Sequence, residues 1–123
     1  MMKYATIKVN GLDVFYRESG DRQKPTFVLL HGFPTASHMF RHLMPMLEED
    51  FHVIAPDLIG FGQSAAPVHT AFDYTFDQLT DYVDGFLCAL KIERFYLYVF
   101  DYGAPIGFNL AVRDPQRILG IVS

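Results

Sequence analysis

Tryptophan is absent and cysteine occurs once, at Cys88. A single cysteine closes no internal disulfide, so a disulfide scaffold is excluded and a reducing, cytoplasmic setting fits. No apolar run approaches the roughly 18 residues that a bilayer-spanning helix needs. No basic start leads into a long apolar stretch, so no signal peptide is visible. An excess of basic charge is also missing. Lys and Arg total 10 against 14 Asp and Glu, a net charge of −4, which leaves no field to hold nucleic acid or an anionic membrane. Repeats, low-complexity tracts and linkers are lacking too. What is present is half hydrophobic and 15% aromatic, the composition of one compact globular domain.

The order of elements predicts the fold class. Tyr4 to Asn10 is β-rich, and Asn10-Gly11 is a strong hairpin signal because both turn positions need positive φ. Leu12 to Glu18 reads as the returning strand, giving a hairpin over 4–18. Phe27 to His31, His52 to Ala55 and Phe95 to Phe100 are apolar without alternation, as strands buried on both faces should be. Between them, Ser37 to Glu49 is predicted as a helix interrupted near Pro45. A second helix starts at a Thr75 cap with Gln78 three residues on, and runs to about Lys91. Its core face is Phe76, Leu79, Val83, Phe86, Leu87 and Leu90, with Cys88 expected as a small buried hydrophobe. Gly103 to Arg113 is a third helix, stopped by Asp114-Pro115, and Ile118 to Ser123 opens a last apolar strand. Strand–helix units over 26–123 predict an α/β fold, an open, mostly parallel sheet with helices on both faces.

Three motifs each follow a predicted strand: His31-Gly32-Phe33-Pro34, then Asp57 to Ser64 with Gly60 and Gly62, then Asp101-Tyr102-Gly103 at the head of the third helix. Ligands of open α/β sheets bind beyond the carboxyl ends of the strands, so the motifs should converge on one crevice. An aspartate placed there, at a helix N-terminus, is held ionised by the helix dipole. It can also be no more than a helix cap.

On these motifs the chain resembles the α/β-hydrolase fold and, within it, the aspartate-nucleophile branch of haloalkane dehalogenases and epoxide hydrolases. The resemblance covers the whole chain but only the front half of that fold, without its cap domain and last strands. It implies that Asp101 is a nucleophile on the strand-to-helix elbow, displacing a halide or opening an epoxide to form an alkyl ester. It implies that the backbone N–H groups of Phe33 and Tyr102 form the oxyanion hole. His31, Gly32, Pro34 and Gly103 take structural roles near the site, His31 by bonding its ring nitrogens to backbone. Two details point in different directions. Val99 stands where most members have glycine, as in dehalogenases, whereas Phe33 matches the epoxide-hydrolase form of the first motif. Dehalogenases carry Asn and Trp where this chain has Phe33 and Tyr102.

All five histidines precede Asp101, so the water-activating histidine and its acid partner that the resemblance implies are not in the sequence. The expected function is a hydrolase acting on a small organic halide or epoxide. The chain over 1–123 is expected to be a partial domain, alkylated once and then stalled. The rival expectation is a non-catalytic module that self-associates, as a homodimer or by domain swap, through the strand near Ser123. Asp77, Asp81 and Asp84 are expected to face solvent. No His or Cys joins them at ligand spacing, so no metal and no cofactor is expected. Phe72, Tyr74 and Phe76 are read as packing, with the lining of a substrate path as the alternative, and the second motif as structural.

Overall fold

The computed structural model describes residues 2–123. Six strands form one sheet in the order β1-β2-β4-β3-β5-β6. β1 (Lys3–Val9) and β2 (Leu12–Ser19) make an antiparallel hairpin, and β2 pairs antiparallel with β4 (His52–Pro56). β4, β3 (Thr26–Leu29), β5 (Phe95–Tyr98) and β6 (Ile118–Val122) are mutually parallel. The hairpin turn uses Asn10 and Gly11 at φ 48° and 82°, the left-handed pair the sequence signal demands.

Helices cover both faces. α1 (Leu43–Leu47) packs with the preceding 3-10 turn (Ser37–Phe40) on one face, where Phe40 and Met44 meet Phe27, Leu29, Val53 and Ala55. α2 (Phe76–Ala89) and α3 (Gly103–Arg113) pack on the other, with Leu79, Val83, Phe86 and Leu87 of α2 and Ile106 and Leu110 of α3 meeting Val28, Ile54 and Leu97. Burying each such side chain contributes roughly 1.5–3 kcal/mol, so these two layers hold the sheet. α2 is capped as expected: the Thr75 hydroxyl accepts the Gln78 N–H at 3.1 Å.

Several details depart from the sequence reading. The 37–49 helix breaks at Arg41-His42, not at Pro45. Pro45 lies in the first turn of α1, where its missing N–H is not needed. The strands predicted over 27–31 and 95–100 end at Leu29 and Tyr98, because the next residues turn away to build the loops above the sheet. Cys88 is exposed, with Sγ 3.8 Å from Asp84 Oδ1, since it falls off the face that carries Leu87. Phe76, at the head of α2, is 39% exposed and sits outside the core. The acidic residues of α2 do more than face solvent. Asp81 pairs with Arg113 at 2.7 Å and Asp84 with Arg117 at 2.5 Å, and the Asn109 amide reaches Asp77 at 3.4 Å, tying α2 to α3 and the chain beyond it.

At the amino ends of the parallel strands, a buried pair joins β2 to β4. Glu18 Oε2 lies 2.6 Å from His52 Nε2, whose Nδ1 lies 2.9 Å from the Thr26 hydroxyl, and Arg22 adds a 2.9 Å contact to Glu18. Burial pushes the Glu18 carboxyl up, but the hydrogen bonds from His52 and Arg22 outweigh it, and the net shift is below the ordinary 4.5. A carboxyl lowered in the folded state stabilises fully above its unfolded value and loses that contribution as pH falls through the folded value. Stability should therefore fall below about pH 4.5, and Glu18→Gln should flatten that acid slope. Urea titrations of both proteins between about pH 6 and pH 3 measure it, and parallel slopes would exclude the pair as the cause.

Candidate functional site

The opposite end of the sheet carries the three motifs. β5 leads through Val99 and Phe100 into a turn on which Asp101 adopts φ 51°, a left-handed conformation uncommon for non-glycine residues and best tolerated by Asn and Asp. α3 begins two residues later, so the aspartate is held at the positive end of a helix. Its carboxylate is exposed. Phe33 N–H donates to Asp101 Oδ2 at 2.7 Å, and the Tyr102 amide follows the aspartate on the elbow. These two amides, Phe33 first, hold the Asp101 carboxyl below its ordinary 3.8. One N–H, from the loop after β3, is thus hydrogen-bonded to the carboxylate, and a second belongs to the elbow itself.

Small residues make that approach sterically open. A Cβ on Gly32 would lie 2.8 Å from Asp101 Cβ, and one on Gly103 would lie 2.6 Å from the Leu30 carbonyl oxygen. Gly107 serves Val99 in the same way: a Cβ there would meet Val99 Cγ1 at 2.5 Å. The branched residue before the elbow is accommodated by a glycine one turn into α3. The Phe33–Pro34 peptide bond is cis.

His31 is fully buried and bonds only backbone. Leu58 N–H donates to Nε2 at 2.9 Å, so that nitrogen carries the lone pair and Nδ1 donates to the Gly32 carbonyl at 2.9 Å. Burial lowers its pKa, which favours this neutral form. The second motif is organised by its first residue, Asp57. Its buried carboxylate accepts Ser37 N–H at 2.7 Å and Gln63 N–H at 2.9 Å, while Ser64 Oγ donates to the Asp57 carbonyl at 2.6 Å. A Pro-Asp pair at the end of a buried strand was the only sequence signal for it.

Four aromatic rings form a rim beside the carboxylate, and one of them, Phe76, belongs to the set with the substrate-path alternative. Phe33 and Tyr102 lie with ring centroids 5.2 Å apart, Phe61 presents an edge to both at 6.0 and 6.2 Å, and Phe76 meets Tyr102 edge-on at 5.2 Å. Phe33 is 57% exposed, so the rim is an open apolar surface beside the anion. Phe61, flanked by Gly60 and Gly62, was the visible hint. Phe72 and Tyr74 pack on each other at 4.7 Å. An exposed carboxylate oriented by a backbone amide beside an apolar surface has the chemistry of a nucleophile next to an apolar binding face.

A family model described as alpha/beta hydrolase fold matches residues 25–123. The chain is 50% identical over 114 residues to an uncharacterized hydrolase of Saccharomyces cerevisiae, covering 93% of this chain and 39% of that protein. It is 34% identical over 119 residues to epoxide hydrolase 4 of Mus musculus, covering 97% of this chain and 33% of the relative. Among solved structures, a loop variant of a haloalkane dehalogenase from Bradyrhizobium elkanii superposes with a TM-score of 0.93 at 38% identity, covering 98% of this chain and 39% of that one. The chain thus spans between a third and two fifths of the length of these proteins. No helix among the described residues is long and apolar enough to cross a membrane.

Proposed function

The chain belongs to the alpha/beta hydrolase fold family, and from that premise we propose that Asp101 is the nucleophile of a hydrolase acting on a small organic halide or epoxide through a covalent alkyl-aspartyl ester. One observation carries the reading: an exposed carboxylate at positive φ is met by Phe33 N–H, with Tyr102 N–H beside it. In the first step a carboxylate oxygen bonds to the substrate carbon while the carbon–halogen bond breaks and halide leaves with its electron pair. For an epoxide, a ring C–O bond breaks and the alkoxide takes up a proton. In the second step water adds to the Asp101 carboxyl carbon. The negative oxygen then formed is held by the Phe33 and Tyr102 amides, and collapse expels the alcohol and restores the carboxylate. Only the second step develops charge on that oxygen, so the amides serve hydrolysis more than alkylation.

The water must also lose a proton. The hydrogen-bond partners of Asp101 are backbone amides, and His31 spends both nitrogens on backbone. Residues 1–123 are read as part of one hydrolase domain whose water-activating base lies outside them. Incubating the Cys88→Ser chain, which removes the exposed thiol, with an alkyl bromide or an epoxide should therefore add one alkyl group per chain, mapped to Asp101 by peptide mass spectrometry, with product not exceeding one equivalent. Sustained turnover, or an adduct placed elsewhere, would overturn this.

A second reading, self-association through β6, has one observation in its favour. β6 lies at the sheet edge with Leu119, Ile121 and Val122 exposed. Light scattering of the unreacted chain decides it: a symmetric dimer supports edge pairing, and a monomer removes it.

A further inference from the structure

The Gly32–Phe33 peptide group is engaged at both ends. Its N–H donates to Asp101 Oδ2 at 2.7 Å. Its carbonyl oxygen receives three donors: the Thr35 hydroxyl at 2.6 Å, His31 Nδ1 at 2.9 Å and the Thr35 N–H at 3.1 Å. A carbonyl oxygen offers two lone pairs, and the N–H bond alone closes a turn of this kind, so the hydroxyl and the imidazole are additional. Both have fixed donor roles. Leu58 N–H occupies Nε2 of His31, which leaves the ring proton on Nδ1. The Thr35 hydroxyl has one proton and two acceptors in reach. Met39 Sδ is 3.4 Å away and a weak acceptor, so the carbonyl at 2.6 Å takes the proton.

We propose that Thr35 is a positioning residue: its hydroxyl, with His31, fixes the plane of the Gly32–Phe33 peptide and polarises it, so that Phe33 N–H is aimed at the Asp101 carboxylate and donates more strongly. The proposal rests on the reading of Asp101 and Phe33 given above. Peptide resonance links the two ends of the group, because electron density drawn onto the oxygen is drawn from the nitrogen and its hydrogen becomes a better donor. Each added bond in such a chain strengthens the next by roughly 10–30%. The hydroxyl bond also keeps the loop from rotating the N–H out of line. A donor misaligned below about 120° is largely lost. The Thr35 hydroxyl bonds the Gly32 carbonyl, while Phe33 N–H bonds the carboxylate, so Thr35 acts through the peptide.

The experiment compares Thr35→Val, which keeps the shape and loses the hydroxyl, with Thr35→Ser, which keeps the hydroxyl. The Asp101 carboxyl carbon is followed through an acid titration by NMR in the full chain, with the Phe33 amide proton read in the same spectra. In Thr35→Val the Asp101 midpoint should rise toward the ordinary carboxylate range and the Phe33 proton should move upfield. Thr35→Ser should titrate like the unaltered chain. A general loosening of the loop would move both variants alike. Identical titrations for Thr35→Val and the unaltered chain, or a Ser shift as large as the Val shift, would overturn the proposal. If Thr35→Val does not fold, Thr35→Ala takes its place against Thr35→Ser on the same criteria. Alkylation separates this proposal from the one beneath it. A Val–Ser contrast without any adduct on the Cys88→Ser chain overturns the nucleophile and keeps the positioning role. An adduct without the contrast overturns the positioning role alone.

Discussion

Asp101→Asn is expected to abolish the alkyl adduct completely while leaving the fold intact. The carboxylate attacks because it carries a full negative charge. The carboxamide is neutral, its nitrogen lone pair is delocalised, and its oxygen is a far weaker nucleophile toward a saturated carbon. The fold should survive for two local reasons. Asparagine is among the few non-glycine residues that tolerate a φ near 51°, so the elbow keeps its conformation. The amide oxygen can still accept the Phe33 N–H that now meets Oδ2, so the bond to the loop after β3 is kept. Intact mass after incubation of the variant, made in the Cys88→Ser chain, with the alkyl bromide reads the adduct, and a thermal melt reads the fold. An adduct that forms on the variant at the unaltered rate would place the reactive group elsewhere and end the aspartyl-ester reading.

Local signals were legible in the sequence, and contacts made across the fold were not. Asn10-Gly11 named its hairpin because two consecutive positive φ angles are a property of the turn itself. The Thr75–Gln78 cap and the span Gly103–Arg113 were readable because capping and helix-stop chemistry act within a few residues. The candidate site was suggested by local signals as well, since the elbow and the His31-Gly32-Phe33-Pro34 loop each follow a strand and parallel sheets place such ends together. The split of the 37–49 segment was not, because proline suits a helix interruption and a helix first turn equally well. The contacts of Asp57 and those within the Phe33, Phe61, Phe76 and Tyr102 rim stayed hidden since the partners come from different loops. Cys88 was misplaced because a residue beside a core leucine is one step of 100° away from the core face.

Gly103→Ala is expected to destabilise the chain by up to about 2 kcal/mol, lowering Tm by as much as roughly 8 °C. The new Cβ would stand 2.6 Å from the Leu30 carbonyl oxygen, 2.9 Å from Leu30 Cβ and 3.0 Å from its carbonyl carbon. Leu30 cannot retreat, because its N–H is bonded to the Tyr98 carbonyl at 3.0 Å and its side chain is fully buried. Such overpacking costs up to about 3 kcal/mol, against which the gain of alanine over glycine in a helix offsets about 1. Gly107→Ala makes an instructive contrast. There the obstacle is Val99 Cγ1 at 2.5 Å, a side-chain atom, so Val99→Ala in the same chain should recover much of the loss and give a clear coupling in a double-mutant cycle. No such partner exists for Gly103. Leu30→Ala keeps both the carbonyl and the Cβ that obstruct, so the two losses should add rather than cancel. Recovery of Gly103→Ala by a side-chain change at position 30 would show that strand and helix can separate there, and that the elbow is not held by this contact.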